Sequence, residues 1–223
     1  FSDGGKWKEM DRALRHVEEM IAQGADIVDV GGESTRPGYE TLPEQEEIER
    51  VIPVIEKIKS RFDIPISLDT CKSKVAREGI TKGVDMINDI WGLRSDSAMA
   101  DVIAESGLPC CLMHNRSEAV YQDLITDIMD DFHRILQIAH VSGIQDENII
   151  LDPGIGFGKN FEQNLEILRR MEELKKLKYP LLLGTSRKSV IGKALDLPVG
   201  ERLEGTIVTT VFGVLKGFSF VRV

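Results

Sequence analysis

Short apolar runs alternate with amphipathic stretches along almost the whole chain. Runs rich in Ile, Val and Leu fall at 25–32, 64–70, 86–90, 109–114, 149–153, 179–185 and 218–223. They are continuous rather than alternating, the pattern of parallel strands covered on both faces. Between them, segments 7–23, 43–61, 73–82, 97–105, 120–141, 161–177 and 199–216 carry apolar residues at helical spacing. Glu44, Glu46 and Glu47 stand in the first turn of one predicted helix, where acids favour the helix dipole. Gly24, Gly83, Gly107 and Gly143 each follow a predicted helix, where a left-handed terminating residue is wanted. A strand–helix unit therefore repeats about every 30 residues. Such units without a dinucleotide fingerprint predict an α/β fold, a (β/α)8 barrel short of one strand. A doubly wound sheet is the competing arrangement.

Polar residues collect where the strands end. Asp29 precedes Gly31-Gly32-Glu33-Ser34-Thr35-Arg36-Pro37-Gly38. Asp69-Thr70, Asn88-Asp89, His114-Asn115, Asp152, Ser186-Arg187-Lys188 and Arg222 close the other runs. One such residue is usually a helix cap. A barrel, however, gathers the carboxyl ends of its strands into one mouth, where catalytic groups sit. Asp69, Asn88, Asp152 and Lys188 together offer donors and acceptors suited to a flat, nitrogen-rich heterocycle. A carboxylate accepts two N–H groups from an amidine-like edge, and an Asn both donates and accepts. Arg36, Arg222, Lys188 and Ser189 at a helix start could hold anionic groups.

The stretch Ile149-Ile150-Leu151-Asp152-Pro153-Gly154-Ile155-Gly156-Phe157-Gly158-Lys159 is the most informative. A buried strand ends in an acid, and a glycine-rich turn follows. The spacing fits neither G-x-G-x-x-G nor the P-loop, and no G-x-S-x-G nucleophile elbow occurs. A capped tight turn and a ligand site both remain open at this point. His16, His133 and His140 show no metal-ligand spacing. His114 could be structural or chemical. Magnesium held mainly by substrate phosphates would leave little trace in a sequence.

Composition narrows the classes. The 223 residues match one barrel domain, 1–223, since such barrels run roughly 200–250 residues. The net charge of -9 argues against a nucleic-acid surface. No run approaches the roughly 18 apolar residues that span a bilayer, and Phe1-Ser2-Asp3-Gly4-Gly5 is no signal peptide. Cys71, Cys110 and Cys111 form no C-x-x-C, which predicts free buried thiols and a reducing cytoplasm.

In order along the chain, the motifs resemble those of dihydropteroate synthase. They are Phe1-Ser2-Asp3-Gly4-Gly5, Glu33-Ser34-Thr35-Arg36-Pro37-Gly38, Ser67-Leu68-Asp69-Thr70, Ile87-Asn88-Asp89, Leu112-Met113-His114, Asp152-Pro153-Gly154-Ile155-Gly156-Phe157-Gly158-Lys159 and Gly184-Thr185-Ser186-Arg187-Lys188-Ser189. The resemblance implies a cytoplasmic, homodimeric transferase. It would join p-aminobenzoate to 6-hydroxymethyl-7,8-dihydropterin diphosphate, with Mg2+ as cofactor, and release diphosphate. By position, Asp69, Asp152, Lys188 and Arg222 would carry the chemistry. Asn88 and Gly184 would join them around the pterin, with Ile90 and Met113 as apolar walls. Thr35, Arg36 and Pro37 would belong to a closing loop. Phe157, Lys188 and Ser189 would flank p-aminobenzoate, and Arg222 would meet the diphosphate. The family's first strand, with an Asn that meets the metal, lies upstream of Phe1 on this reading. Its last helix lies beyond Val223. Two other functions keep the same barrel: a pterin-binding methyltransferase domain and a non-catalytic pterin-binding paralogue. A Schiff-base aldolase using Lys188 is disfavoured by the adjoining Arg187.

Overall fold

The computed structural model describes residues 3–33 and 41–223, with residues 3–9 as backbone. Helix α1 (Asp3–Ala22) leads into β1 (Val28–Gly31), and strands and helices then alternate: α2 (Glu44–Arg61), β2 (Ile66–Asp69), α3 (Ser73–Thr81), β3 (Met86–Asp89), α4 (Met99–Ser106), β4 (Cys110–Met113), α5 (Leu124–Ser142), β5 (Ile149–Asp152), α6 (Phe161–Arg170) and β6 (Leu182–Gly184). A short α7 (Ser189–Leu195), then α8 (Leu203–Leu215) and β7 (Phe220–Arg222), complete the described order.

Strands β1 to β5 pair in sequence order, all parallel, and β6 pairs with β7 in the same sense. A parallel bridge from Leu151 to Leu181 joins the two groups, and the Leu151 amide donates to the Pro180 carbonyl at 2.9 Å. Parallel strands in sequence order with a helical connection after each make the architecture of a (β/α)8 barrel. Among the described residues, β1 and β7 are its free edges.

The two faces of the strands differ. Leu68, Ile87, Leu112, Leu151 and Leu183 face the helices and join the large core with Val51, Ile55 and Ile58 of α2 and Phe132 of α5. Their alternates Met86, Cys111, Ile150 and Leu182 form a separate inner cluster with Phe220. Successive strand residues point to opposite sides, so this second cluster is the barrel's plug.

Several boundaries depart from the sequence expectation. Segment 161–177 splits into α6 and a tighter 3-10 run, Met171–Leu177. Met171, Leu174 and Leu177 are all buried, and their spacing of three is the 3-10 repeat, which places them on one side. Helix α5 starts at Leu124 rather than at 120, because the Asp123 side chain accepts the Thr126 amide at 2.9 Å and sets the cap. Helix α7 lacked a predicted range of its own. The four predicted terminating glycines all carry positive φ.

Glu47 is not a solvated first-turn acid. It is buried and takes the Lys72 ammonium at 2.5 Å, and Lys72 also meets Glu33. Cys110 and Cys111 are buried thiols as expected, but Cys71 is only half-buried.

Ile55 is fully enclosed between α2 and the sheet. Ile55→Ala should lower unfolding free energy by about 2–5 kcal/mol. Denaturant unfolding measures this, and a loss below about 1 kcal/mol would contradict the packing described.

Candidate active site

The plug fixes where the site lies. Two residues beyond each plug position, at the carboxyl end of the same strand, stand the chain's chemically capable groups. Asn88 follows Met86, Met113 follows Cys111, Asp152 follows Ile150, Gly184 follows Leu182 and Arg222 follows Phe220. Asp69 follows the buried Ser67 in the same way. Period-two geometry therefore turns all six inward, onto the floor that the plug provides. Strand register sets them in steps: Gly31 pairs with Asp69 and Asp69 with Asn88, Asn88 pairs with Cys111, and Met113, two residues further on, pairs with Asp152.

The charges there are tightly interlocked. Arg222 donates through Nε to Asp29 Oδ2 at 2.7 Å, and its Nη2 lies 3.6 Å from Asp69 Oδ2. Burial first, and then the neighbouring Asp29, push the Asp69 carboxyl up to about 7, against the pull of Arg222. Asp152 is buried and takes the Gly154 amide on Oδ1 at 2.7 Å. Burial raises its pKa as well, while Lys188, the Gly154 amide, Lys159 and Arg222 oppose the rise. A methyl group added to Gly184 would stand 3.7 Å from Lys188 Nζ, 3.8 Å from Arg222 Cβ and 3.9 Å from Asp152 Oδ2. Lysine, arginine and aspartate thus converge on one point, kept open because residue 184 has no side chain.

Lys188 reaches this point from a strained turn. Arg187 before it has φ 50°, and its amide is held by Thr206 Oγ1 at 3.0 Å. A left-handed non-glycine residue costs about 1–2 kcal/mol. The Lys188 ammonium donates to the Ile155 carbonyl at 2.6 Å and lies 4.8 Å from the centre of the Phe157 ring. Burial lowers its pKa to about 8, against the attraction of Asp152.

Ile90 and Met113 are buried yet belong to neither apolar cluster, which leaves their side chains free to wall a ligand. Asn88 is buried with no side-chain partner among the described residues. Phe157 is half-buried, and Ser189 is exposed at the first turn of α7. Thr35, Arg36 and Pro37 lie outside the described residues.

Two groups gain roles that the sequence left open. Asp29 is the partly buried partner of Arg222, and its buried Oδ1 has no hydrogen-bond partner among the described residues. Its signal in the sequence was its place two residues before Gly31, on the inward face. His114 is fully buried between Lys159 and Asp131, so it is a structural residue rather than a group at the mouth. Among the described residues, no three His, Cys, Asp or Glu side chains group closely enough to hold a metal ion. The described residues therefore do not fit a protein-built magnesium cage. No described helix is long and apolar enough to cross a membrane.

A barrel with acids, an amide and two cations ringed around an apolar floor is the frame of an enzyme that handles a small polar heterocycle. The family described as pterin binding enzyme matches residues 1–223. A dihydropteroate synthase of Clostridium beijerinckii is 59% identical over 224 residues, which is 100% of this chain and 83% of that protein. A crystal structure of dihydropteroate synthase from Clostridium difficile, determined in the presence of pteroic acid, superposes with a TM-score of 0.96 at 53% identity. It covers 100% of this chain and 85% of that one. A Xanthomonas albilineans dihydropteroate synthase with 4-aminobenzoic acid superposes at 0.93 with 35% identity, covering 100% and 82%. The chain belongs to the pterin-binding enzymes and, within them, to the dihydropteroate synthases.

Asp69 also makes stability depend on pH. Its pKa is raised from 3.8 to about 7, so its stabilising protonation is complete below about pH 4 and is lost as pH rises through 7. Asp69→Asn removes that loss. The variant's melting temperature should gain on the wild type from pH 5 to pH 8. A difference that stays level across this range would show that Asp69 titrates normally.

Proposed function

We infer that this chain is a transferase that joins p-aminobenzoate to 6-hydroxymethyl-7,8-dihydropterin diphosphate, giving 7,8-dihydropteroate and diphosphate in folate biosynthesis. The observation that carries this reading is the convergence of Asp152, Lys188 and Arg222 on the open point at Gly184. That point lies at the same carboxyl ends of the strands as Asp69 and Asn88, above an apolar floor.

The pterin lies on that floor, with Ile90 and Met113 against its faces. Asp152 and Asn88 accept and donate along its amidine-like edge, and Lys188 donates to its carbonyl oxygen. Asp69, 3.6 Å from Arg222, joins them at the pterin ring. In the reaction the C–O bond to diphosphate breaks, with both electrons leaving on the diphosphate. The amine lone pair of p-aminobenzoate then forms the new C–N bond, and one N–H proton is lost. Positive charge grows on the pterin as the C–O bond opens. Asp69 and Asp152 are the groups placed to stabilise it. Their pKa values are raised in the free protein, so a growing cation draws both toward the ionised form. Arg222 exchanges Asp29 for the departing diphosphate. Phe157, Lys188 and Ser189 bound the p-aminobenzoate side, with Ser189 near its carboxylate. Thr35, Arg36 and Pro37, outside the described residues, belong to the substrate-binding set on this reading. Magnesium bound with the diphosphate would help to neutralise the leaving group; the described residues offer no cage of their own for it.

The domain is one unit, 1–223, working in the cytoplasm, where free thiols such as Cys71, Cys110 and Cys111 persist. It works as a homodimer. Helix α8 leaves Leu203, Ile207, Val208, Val211 and Leu215 exposed, an apolar face that a second copy could cover.

The test is diphosphate release from the pterin diphosphate with magnesium. Release that requires p-aminobenzoate and matches dihydropteroate formed supports the reading, whereas pterin binding without turnover would favour a non-catalytic paralogue. Asp152→Asn should weaken pterin binding, and Lys188→Ala should raise KM for both substrates. Each lost charge-assisted contact costs on the order of 1.5–3 kcal/mol. Full activity in both variants would overturn the assignment.

A further inference from the structure

Lys159 follows the glycine loop and, among the described residues, touches no carboxylate. Its Nζ lies within hydrogen-bond reach of the Phe157 carbonyl at 2.8 Å, the Gly154 carbonyl at 3.1 Å, the His114 carbonyl at 3.3 Å and His114 Nδ1 at 3.0 Å. Three donors on one ammonium thus face four acceptors, and two of the acceptors bracket Ile155 and Gly156. The Ile155 carbonyl is the one that seats Lys188, and a methyl on Gly156 would stand 3.3 Å from Lys188 Cδ. The loop held by Lys159 is therefore the surface on which Lys188 rests.

His114 fixes Lys159 in turn. An ammonium donating to Nδ1 leaves the imidazole neutral, with its proton on Nε2, and Nε2 faces Asp131 Oδ2 at 3.0 Å. Burial agrees with a neutral ring, lowering its pKa to about 4. Asp131 also takes Arg116 Nε at 2.6 Å and Arg134 at 3.0 Å, and against the effect of burial its bonds to His114 and Arg116 hold it well below the usual carboxylate range. Gly154, at φ 69°, can pass against the His114 carbonyl only because it has no Cβ; an added methyl would run into that oxygen.

We propose that Lys159, aligned by His114 and Asp131, is a positioning residue that sets the Lys188 ammonium and the Phe157 ring through the backbone of residues 154–157. The proposal rests on the reading of Lys188 as a substrate-binding group. Lys159 itself meets neither substrate.

A double-mutant cycle tests it. Lys159→Met keeps the length and apolar stem but removes the donors. Its kcat/KM should fall about 10- to 100-fold, the range for losing one charge-assisted hydrogen bond. In a Lys188→Ala background the same substitution should cost at least about threefold less than in the wild type, because only the Phe157 ring is left for it to position. Equal losses in both backgrounds would reduce Lys159 to a fold-stabilising residue and overturn the proposal. If Lys159→Met does not fold, His114→Asn is read in the same cycle. It keeps an acceptor near Nδ1 and breaks the link to Asp131.

A second readout needs no turnover. Trace acetylation followed by peptide mass spectrometry reports the reactivity of the Lys188 amine. That reactivity should change at least threefold in Lys159→Met, against an unchanged exposed reference such as Lys193. An unchanged Lys188 would overturn the positioning role even if the enzymatic reading stands. A changed Lys188 in a protein without synthase activity would keep the coupling while the enzymatic reading fails.

Discussion

Arg222 on β7 reaches across to Asp29 on β1 at 2.7 Å and lies 3.6 Å from Asp69 on β2. This cross-barrel ion cluster is the constraint on which the site depends. Asp29 and Asp69 belong to neighbouring strands and repel each other, while burial further disfavours the charge on Asp69. One guanidinium answers both and, by doing so, brings the last described strand to the first. It also leaves Asp29 Oδ1 without a partner, a group that gains when a donor arrives. The free site is electrostatically unfinished, and a ligand with N–H donors and a cationic transition state completes it.

The opposite wall is built from backbone. The glycine loop after β5 turns under Lys188, and the loop's own carbonyls hold it through Lys159. The two lysines lie on either side of this loop and have different tasks. Lys188 carries a weakened charge toward the ligand point, and Lys159 spends its donors on carbonyls and an imidazole. Strain at Arg187 aims Lys188 inward. A fold that accepts a left-handed arginine there must hold it from behind, and the Thr206 hydroxyl does so.

Much of this was legible in the chain. Continuous Ile, Val and Leu runs separated by helical segments gave the barrel, and polar residues at the run ends gave Asp69, Asn88, Asp152 and Arg222. The 3-10 run 171–177 was hidden because residues spaced by three satisfy both helical templates over so short a length. Glu47 stands in the first turn as expected, but its ion pair was hidden because the helix dipole alone explains a first-turn acid, whereas its partner Lys72 lies beyond β2. The pairing of Asp29 with Arg222 and the Lys159–His114–Asp131 network were invisible for the same reason, although Asp29 itself stood out as a strand-end acid. Their meaning lies in partners brought close by the fold, and strand-end position alone does not distinguish a ligand contact from a buried link.

The account's central claim is that one row of inward-facing strand ends binds both substrates. The most direct measurement is a crystal structure of the chain with dihydropteroate. The pterin edge should face Asp69, Asn88 and Asp152 above the plug of Met86, Cys111, Ile150 and Leu182, with the benzoate passing Phe157 and Lys188 toward Ser189. A product bound elsewhere, or one with its pterin turned away from Asp152, would contradict it.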